Sequence, residues 1–261
     1  MTSAATKEPP LLQARDMKKS YGGLEAVAGM DIDIPRGQIT GLIGPNGAGK
    51  TTMLNMLSGV ERPNAGVVSL GTRDVTGMPA HRLAGLGLVR TFQICRDLGR
   101  LTVLENLLVA RAAQKGESII GALVRPRVVG LQEEQGIDAA RVLLERVGLW
   151  RLADAPAASL SGGQKKLLEL SRALMLKPQV VLLDEPAAGV APAMEAVLVK
   201  FIRELVDEGL TFLIVEHDLD VVAALCDEVY VMAAGRLLTR GNFAEVTADS
   251  RVLEAYLGVR A

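Results

Sequence analysis

Histidine and cysteine are nearly missing from this 261-residue chain, which has 2 of each. His81 and His217 are too few for a His-rich metal site. Cys95 and Cys226 lie far apart with no CxxC spacing, which argues against a disulfide framework and suits a reducing compartment. Net charge is also scarce. Lys+Arg 29 against Asp+Glu 30 leaves −1, so nothing advertises a polyanionic partner and no nucleic acid is expected. No run approaches the ~18 apolar residues of a membrane span. The opening MTSAATKEPP has two prolines and no apolar stretch, so residues 1–10 are expected to be a disordered tail without a signal peptide. The remaining composition, 49% hydrophobic and 23% charged, is that of an ordinary globular protein. Its length suits one large domain or two modest ones. The expectation is a soluble intracellular protein that can still dock on a membrane protein.

What the chain does contain is GLIGPNGAGKTT, Gly41 to Thr52. Gly44, Pro45, Asn46, Gly47, Ala48, Gly49, Lys50 and Thr51 fill the phosphate-loop pattern, and Thr52 follows. The flanks agree: Gln38 to Gly44 is a short apolar, β-branched run, and Lys50 to Val60 has helical spacing of apolar residues. A strand, a glycine-rich turn and a helix N-terminus together aim backbone N–H groups at one point, where an anion fits. Glycines there let the backbone approach phosphates. Lys50 would supply charge to the β- and γ-oxygens, and the Thr51 hydroxyl a ligand for Mg²⁺. A Gly-rich turn without a ligand would need neither the Lys nor the Thr in register. The pattern predicts binding of a nucleoside triphosphate.

Around this loop, Leu11 to Lys18 and Ala26 to Ile34 read as strands. The second alternates apolar and acidic residues, as an antiparallel sheet with one wet face requires. Strands are also expected at Val67 to Leu70 and Leu86 to Arg90, with a hairpin region at Gly71 to Gly77. From about 94 to 160 the pattern turns helical. Thr102 to Ala113 begins with a capping box, Thr102 and Glu105. Gln132 to Val147 carries a stripe of Ile137, Ala140, Leu143, Leu144 and Val147. Between them, Gln114 to Leu131 is a Gly-, Pro- and Arg-punctuated insert, whose SIIGALV core is expected to pack against a helix. A helix Gly163 to Met175, a buried strand Val180 to Leu183, a helix Ala193 to Asp207 and a strand Leu210 to Val215 follow. Apolar strands alternating with helices imply a largely parallel, doubly covered sheet.

Two further stretches carry chemistry. VVLLDEP, Val180 to Pro186, delivers two carboxylates at the C-terminal edge of a buried strand, where open α/β sheets place their sites. Asp184 is the candidate Mg²⁺ carboxylate and Glu185 the candidate general base. LSGGQ, the run Leu160, Ser161, Gly162, Gly163 and Gln164, opens a helix that Ser161 can cap. It is a second anion site at a helix N-terminus. One triphosphate does not need two, so this one is read as serving a nucleotide held by another copy.

Gly44 to Thr51, Gln93, Leu160 to Gln164, Val180 to Glu185 and His217, in this order and spacing, resemble the ATPase subunits of ABC (ATP-binding cassette) transporters. The resemblance covers about residues 10–258. It implies one ABC ATPase domain over 11–258: an α/β P-loop NTPase core with a mainly parallel sheet and an N-terminal antiparallel β subdomain (11–93 and 165–258). An inserted α-helical subdomain (94–164) carries the signature. It further implies ATP and Mg²⁺ as cofactors. Two ATPs would be sandwiched between the phosphate loop of one subunit and the LSGGQ of a second ABC ATPase subunit. By resemblance, Tyr21 stacks on adenine, Gln93 completes the Mg²⁺ shell and couples to the permease, and His217 contacts the γ-phosphate and orients water. Without the family pattern these three read as a surface turn aromatic, a polar loop residue and an idle histidine.

One position departs. AAGVAP puts Ala191 where the family usually has Asp or Asn, which weakens the expected cross-talk between the two sites. PAAG (Pro186 to Gly189), LTVLENLLVAR (Leu101 to Arg111), the insert and the AYLG ending (Ala255 to Gly258) are similar to the larger ATPase subunit of branched-chain amino acid importers. That branch implies transmembrane permease partners, an extracytoplasmic binding protein acting indirectly, and a peripheral place on the cytoplasmic face of the plasma membrane. It also serves urea, short amides and aromatic acids. A soluble ABC ATPase of ribosomes or DNA is a poorer match, because the chain has one cassette, no heptad run and neutral charge. A non-hydrolysing regulatory subunit is opposed by Glu185 and His217.

Overall fold

The computed structural model describes residues 9–91, 96–111 and 126–257. In chain order the elements are β1 (Leu12–Tyr21), β2 (Leu24–Ile34), β3 (Ile39–Ile43), α1 (Lys50–Leu57), β4 (Ala65–Leu70), β5 (Arg73–Asp74), α2 (Ala80–Gly85) and β6 (Leu88–Arg90). Among the described residues, the α-helices that follow are α3 (Val103–Val109), α4 (Pro126–Arg146) and α5 (Gly162–Leu174). Then come β7 (Val180–Asp184), α6 (Pro192–Asp207), β8 (Thr211–Val215), α7 (Leu219–Leu225), β9 (Glu228–Ala233), β10 (Arg236–Gly241), α8 (Phe243–Ala248) and α9 (Ser250–Leu257). The chain packs as two compact units. The first takes the chain to Arg90, Gln179–Pro186 and the chain from Ile202; the second takes Thr91–Pro178 and Ala187–Phe201. Residues 165–178 and 187–201, placed in the core by the sequence reading, pack with the second unit.

In the first unit, β1, β2, β4 and β5 form an antiparallel sheet in the order β2-β1-β4-β5. Its inner face comes from alternation: Val27, Met30, Ile32 and Ile34 of β2 are buried while Asp31 is exposed. The second sheet has the order β10-β9-β3-β8-β7-β6, with β9, β3, β8, β7 and β6 parallel and β10 an antiparallel edge. All five residues of β3 and all five of β8 are buried, as central parallel strands require. α1 packs Met53, Leu54 and Leu57 into a core shared with Met17, Met30, Leu182, Leu213 and Tyr230. Each such side chain contributes about 1.5–3 kcal/mol on burial. The strand order brings the C-terminal ends of β3, β7 and β8 side by side, and this positions the site.

In the second unit α3 starts with the expected capping box: the Glu105 N–H donates to Thr102 Oγ1 at 3.1 Å and the Thr102 N–H to Glu105 Oε2 at 2.7 Å. Buried Asn106, which sequence periodicity does not flag, donates to the carbonyls of Leu98 (3.0 Å) and Thr102 (2.9 Å).

Several boundaries differ from expectation. α4 begins at Pro126 rather than Gln132, since proline is well suited to a first helical turn. Its buried stripe is Gly136, Ala140 and Leu144, continued by Val147 just past its end, whereas Ile137 is exposed. α3 ends at Val109, short of Ala113. α2 lies just ahead of the expected Leu86 strand, in a stretch for which the sequence predicts no element, with Pro79 before it and no side-chain cap; the strand itself is shortened to β6, from Leu88. SIIGALV lies outside the described residues. Among the described residues, no helix is long and apolar enough to cross a membrane.

Candidate functional site

Buried β3 ends at Ile43, the loop 44–49 turns back, and α1 starts at Lys50 with Gly49 as its N-cap. Gly44, Gly47 and Gly49 adopt φ values of 148°, 79° and 101°. The glycines have a second reason beyond approach to phosphate. A Cβ at Gly44 would run into the Met232 carbonyl of β9, and one at Gly49 into the Ala26 carbonyl of β2. The loop is clamped between both sheets, whereas a Cβ at Gly47 would meet nothing within 4 Å.

Lys50 is buried, and its Nζ donates to the Gly44 carbonyl at 2.7 Å and the Pro45 carbonyl at 3.0 Å. Burial lowers its pKa from the usual lysine value, opposed by the carboxylates of Glu185 and Asp184. The ammonium is therefore held on the loop's own carbonyls, facing two acids. Thr51 is exposed at the first turn of α1, and Thr52 is half-buried.

β7 supplies four buried residues and then Asp184, whose Oδ2 accepts from Arg90 Nη2 at 2.8 Å. Glu185 follows in the left-handed region, φ 47°, with its N–H donating to the Val215 carbonyl at 2.9 Å. Such a conformation in a non-glycine residue costs on the order of 1–3 kcal/mol and clusters at functional sites. It ties the glutamate to the end of β8. There His217 Nδ1 stands 3.5 Å from Glu185 Oε1 and 3.8 Å from Glu216 Oε2. Glu216 is buried, and its Oε2 accepts the His217 N–H at 3.1 Å. Asp218 caps α7 through the N–H groups of Asp220 (2.9 Å) and Val221 (3.4 Å). The two acids flanking His217 thus shape its turn, which their sequence position alone did not reveal.

Tyr21, 44% exposed, closes β1, and its hydroxyl donates to the Glu61 carboxylate. That hydrogen bond is the main reason its phenol pKa is raised. The Lys19 ammonium stands 5.3 Å from the ring centroid. The structure therefore brings Lys50, Asp184, Glu185 and His217 together at one sheet edge. Gln93 lies outside the described residues.

In the second unit LSGGQ opens α5. Leu160 is buried and Ser161 exposed; the Gln164 N–H donates to Ser161 Oγ at 3.3 Å and the Ser161 N–H to Gln164 Oε1 at 2.9 Å. Gly163 is a packing glycine, because a Cβ would lie 2.8 Å from Met194 Cβ; Gly162 has open space apart from the Gly189 carbonyl at 3.6 Å. Ala191 is exposed, and its carbonyl accepts from the N–H groups of Met194 and Glu195, both at 2.9 Å, so it caps α6 without a side chain.

A model of the ABC transporter family matches residues 27–188. A LivG protein of Archaeoglobus fulgidus is 41% identical over 250 residues, 96% of either chain. The "high-affinity branched-chain amino acid transport ATP-binding protein LivG" of Salmonella typhimurium is 37% identical, covering 95% of this chain and 98% of its own. The similarly named BraF of Pseudomonas aeruginosa is 35% identical with the same coverage. Among solved structures, a nucleotide-free ATP-binding cassette of an ABC transporter superposes with TM-score 0.84 at 37% identity, covering 95% of this chain and 99% of that one. A cassette in its ADP conformation gives 0.83 at 37% identity, again with 95% and 99% covered. With its phosphate loop, paired acids and histidine at one sheet edge, the chain belongs to the ABC transporter family as one of its ATP-binding, ATP-hydrolysing cassettes.

Proposed function

We propose that this cassette powers uptake of branched-chain or related amino acids through a membrane permease on whose cytoplasmic side it sits. The observation that carries the catalytic half is the convergence of Lys50, Asp184, Glu185 and His217 at the ends of β3, β7 and β8. The relatives' names support the substrate class, and the branch-like LTVLENLLVAR and AYLG stretches agree with them.

In this reading the backbone N–H groups of 44–51 and the N-terminus of α1 cradle the phosphates. Lys50 exchanges the Gly44 and Pro45 carbonyls for β- and γ-phosphate oxygens. Tyr21 offers its ring to the adenine. Thr51 and Asp184 present hard oxygen donors, which suit Mg²⁺, an ion commonly held by one or two carboxylates plus substrate phosphates. With Gln93 they would hold it, and Mg²⁺ would neutralise charge on the phosphate oxygens. Glu185 takes a proton from the attacking water, and His217 contacts the γ-phosphate and orients that water. The Ser161 to Gln164 turn serves the ATP of a partner cassette, so nucleotide closes the pair and hydrolysis reopens it.

The test is reconstitution with permeases and a binding protein of a branched-chain amino acid importer, measuring ATP-driven uptake of labelled leucine, urea and an aromatic acid. Leucine uptake abolished by Glu185→Gln is the expected result. Uptake of urea or aromatic acid instead would move the substrate class, and active ATP hydrolysis with no uptake of any would overturn the transport role.

A further inference from the structure

Asp184 does not meet Lys50 as its close partner. The half-buried carboxylate is paired with Arg90, the last residue of β6, at 2.8 Å, and both side chains are largely shielded (10% and 20% exposed). Arg90 sits beside Leu182 in the parallel ladder of β6 and β7, so its backbone is fixed relative to the strand that delivers Asp184. Its other terminal nitrogen, Nη1, donates to Asn55 Oδ1 at 2.5 Å and to Ser58 Oγ at 3.2 Å, both on or just after α1. Asn55 in turn donates from Nδ2 to Glu61 Oε1 at 2.9 Å. The amide's orientation follows from chemistry: a guanidinium can only donate and this carboxylate accepts. Glu61 Oε2 receives the Tyr21 hydroxyl. A continuous polar chain therefore runs Tyr21–Glu61–Asn55–Arg90–Asp184, along α1 from the expected base platform to the acid at the phosphate end.

We propose that Arg90 is a positioning residue: anchored through Asn55 on Glu61, it grips Oδ2 of Asp184 and sets the carboxylate plane, leaving Oδ1 to face the nucleotide's cation. A planar guanidinium with several fixed donors can hold two partners in one geometry at once, which a lysine in its place could not do. Groups that orient a metal-side carboxylate tune affinity for the metal without touching it. The inference rests on the assignment of Asp184 to the Mg²⁺ shell.

The test titrates fluorescent mant-ADP with and without Mg²⁺ against the full-length chain and its variants. Arg90→Gln is expected to cut the Mg²⁺-dependent gain in affinity about tenfold, the order seen when outer-shell partners are removed, while metal-free binding stays unchanged. Arg90→Lys should recover part of the gain. Equal loss with and without Mg²⁺, or no loss, would overturn the proposal by making Arg90 a strut only. Should Arg90→Gln fail to fold, Asn55→Ala carries the test: it must weaken the Mg²⁺ gain in the same direction, and an unshifted gain overturns the proposal. Asp184→Asn separates the two readings. If it leaves the Mg²⁺ gain intact, the cation role of Asp184 is wrong; if it abolishes the gain while Arg90→Gln does not, only the role of Arg90 is wrong.

Discussion

Nδ1 of His217 lies 3.5 Å from Oε1 of Glu185, with both side chains about half exposed at the rim of the sheet (56% and 44%). The buried Glu216 holds the His217 amide, and the Glu185 amide is held on the Val215 carbonyl, so both backbones are anchored while both side chains face outward. The arrangement suits the proposed roles of base and orienting partner, because a reacting water must reach them from outside.

Glu185→Gln should lower phosphate release by about 10²–10⁴-fold, the usual contribution of a general base. Nucleotide binding should persist, and gel filtration with Mg·ATP should show a stable pair. A variant that hydrolyses ATP at the parental rate would remove Glu185 from the base role.

Lys50→Met should abolish ATP binding in a fluorescence titration, since no other buried cation is described at the loop. It should also raise the melting temperature of the nucleotide-free protein. Burial lowers the Lys50 pKa, so just below the ordinary lysine value the unfolded chain binds more protons than the folded one. Stability linked to Lys50 therefore rises with pH in that window, and methionine should remove this dependence.

Tyr21→Ala should weaken ATP by about 1–3 kcal/mol if the ring stacks on the base, and Tyr21→Phe, which keeps the ring, should bind near the parental affinity. Equal affinity of the alanine variant would leave Tyr21 as a partner of Glu61 alone.

Glu169, buried within α5, has its carboxyl pushed up to about 7 by burial, with Lys166 and Arg172 one turn away on either side opposing the shift. A raised carboxyl means the folded state favours the proton. Its penalty is absent below the ordinary value of 4.5 and complete above about 7. Thermal melts of Glu169→Gln should match the parent below that lower value and exceed it at pH 8, by an amount on the order of 1–3 kcal/mol. A constant difference across pH would show that the carboxyl does not titrate in this range.

Ala191→Asp should stabilise the second unit by about 1 kcal/mol, because it adds a capping side chain at the α6 N-terminus, where alanine offers only its carbonyl. A melting temperature equal to or below the parent's would show that the new carboxylate does not reach the α6 N–H groups.

Local patterns were legible without coordinates. The strand–turn–helix around Lys50, the capping box at Thr102, the N-cap at Ser161, the acidic end of β7 and the alternation of β2 all depend on residues a few positions apart. Periodicity and capping operate over one or two turns, so one segment suffices to express them. What neighbours what across the sheet was decided only in three dimensions. The order β9-β3-β8-β7-β6 put His217 beside Glu185, clamped Gly44 under the Met232 carbonyl, and set Arg90 on Asp184. It also left Ile137 outside while Gly136 went in, because the side of a helix that is buried depends on what packs there. Spacing along one segment is written in that segment, whereas a contact between residues 90 and 184 depends on every turn of chain between them.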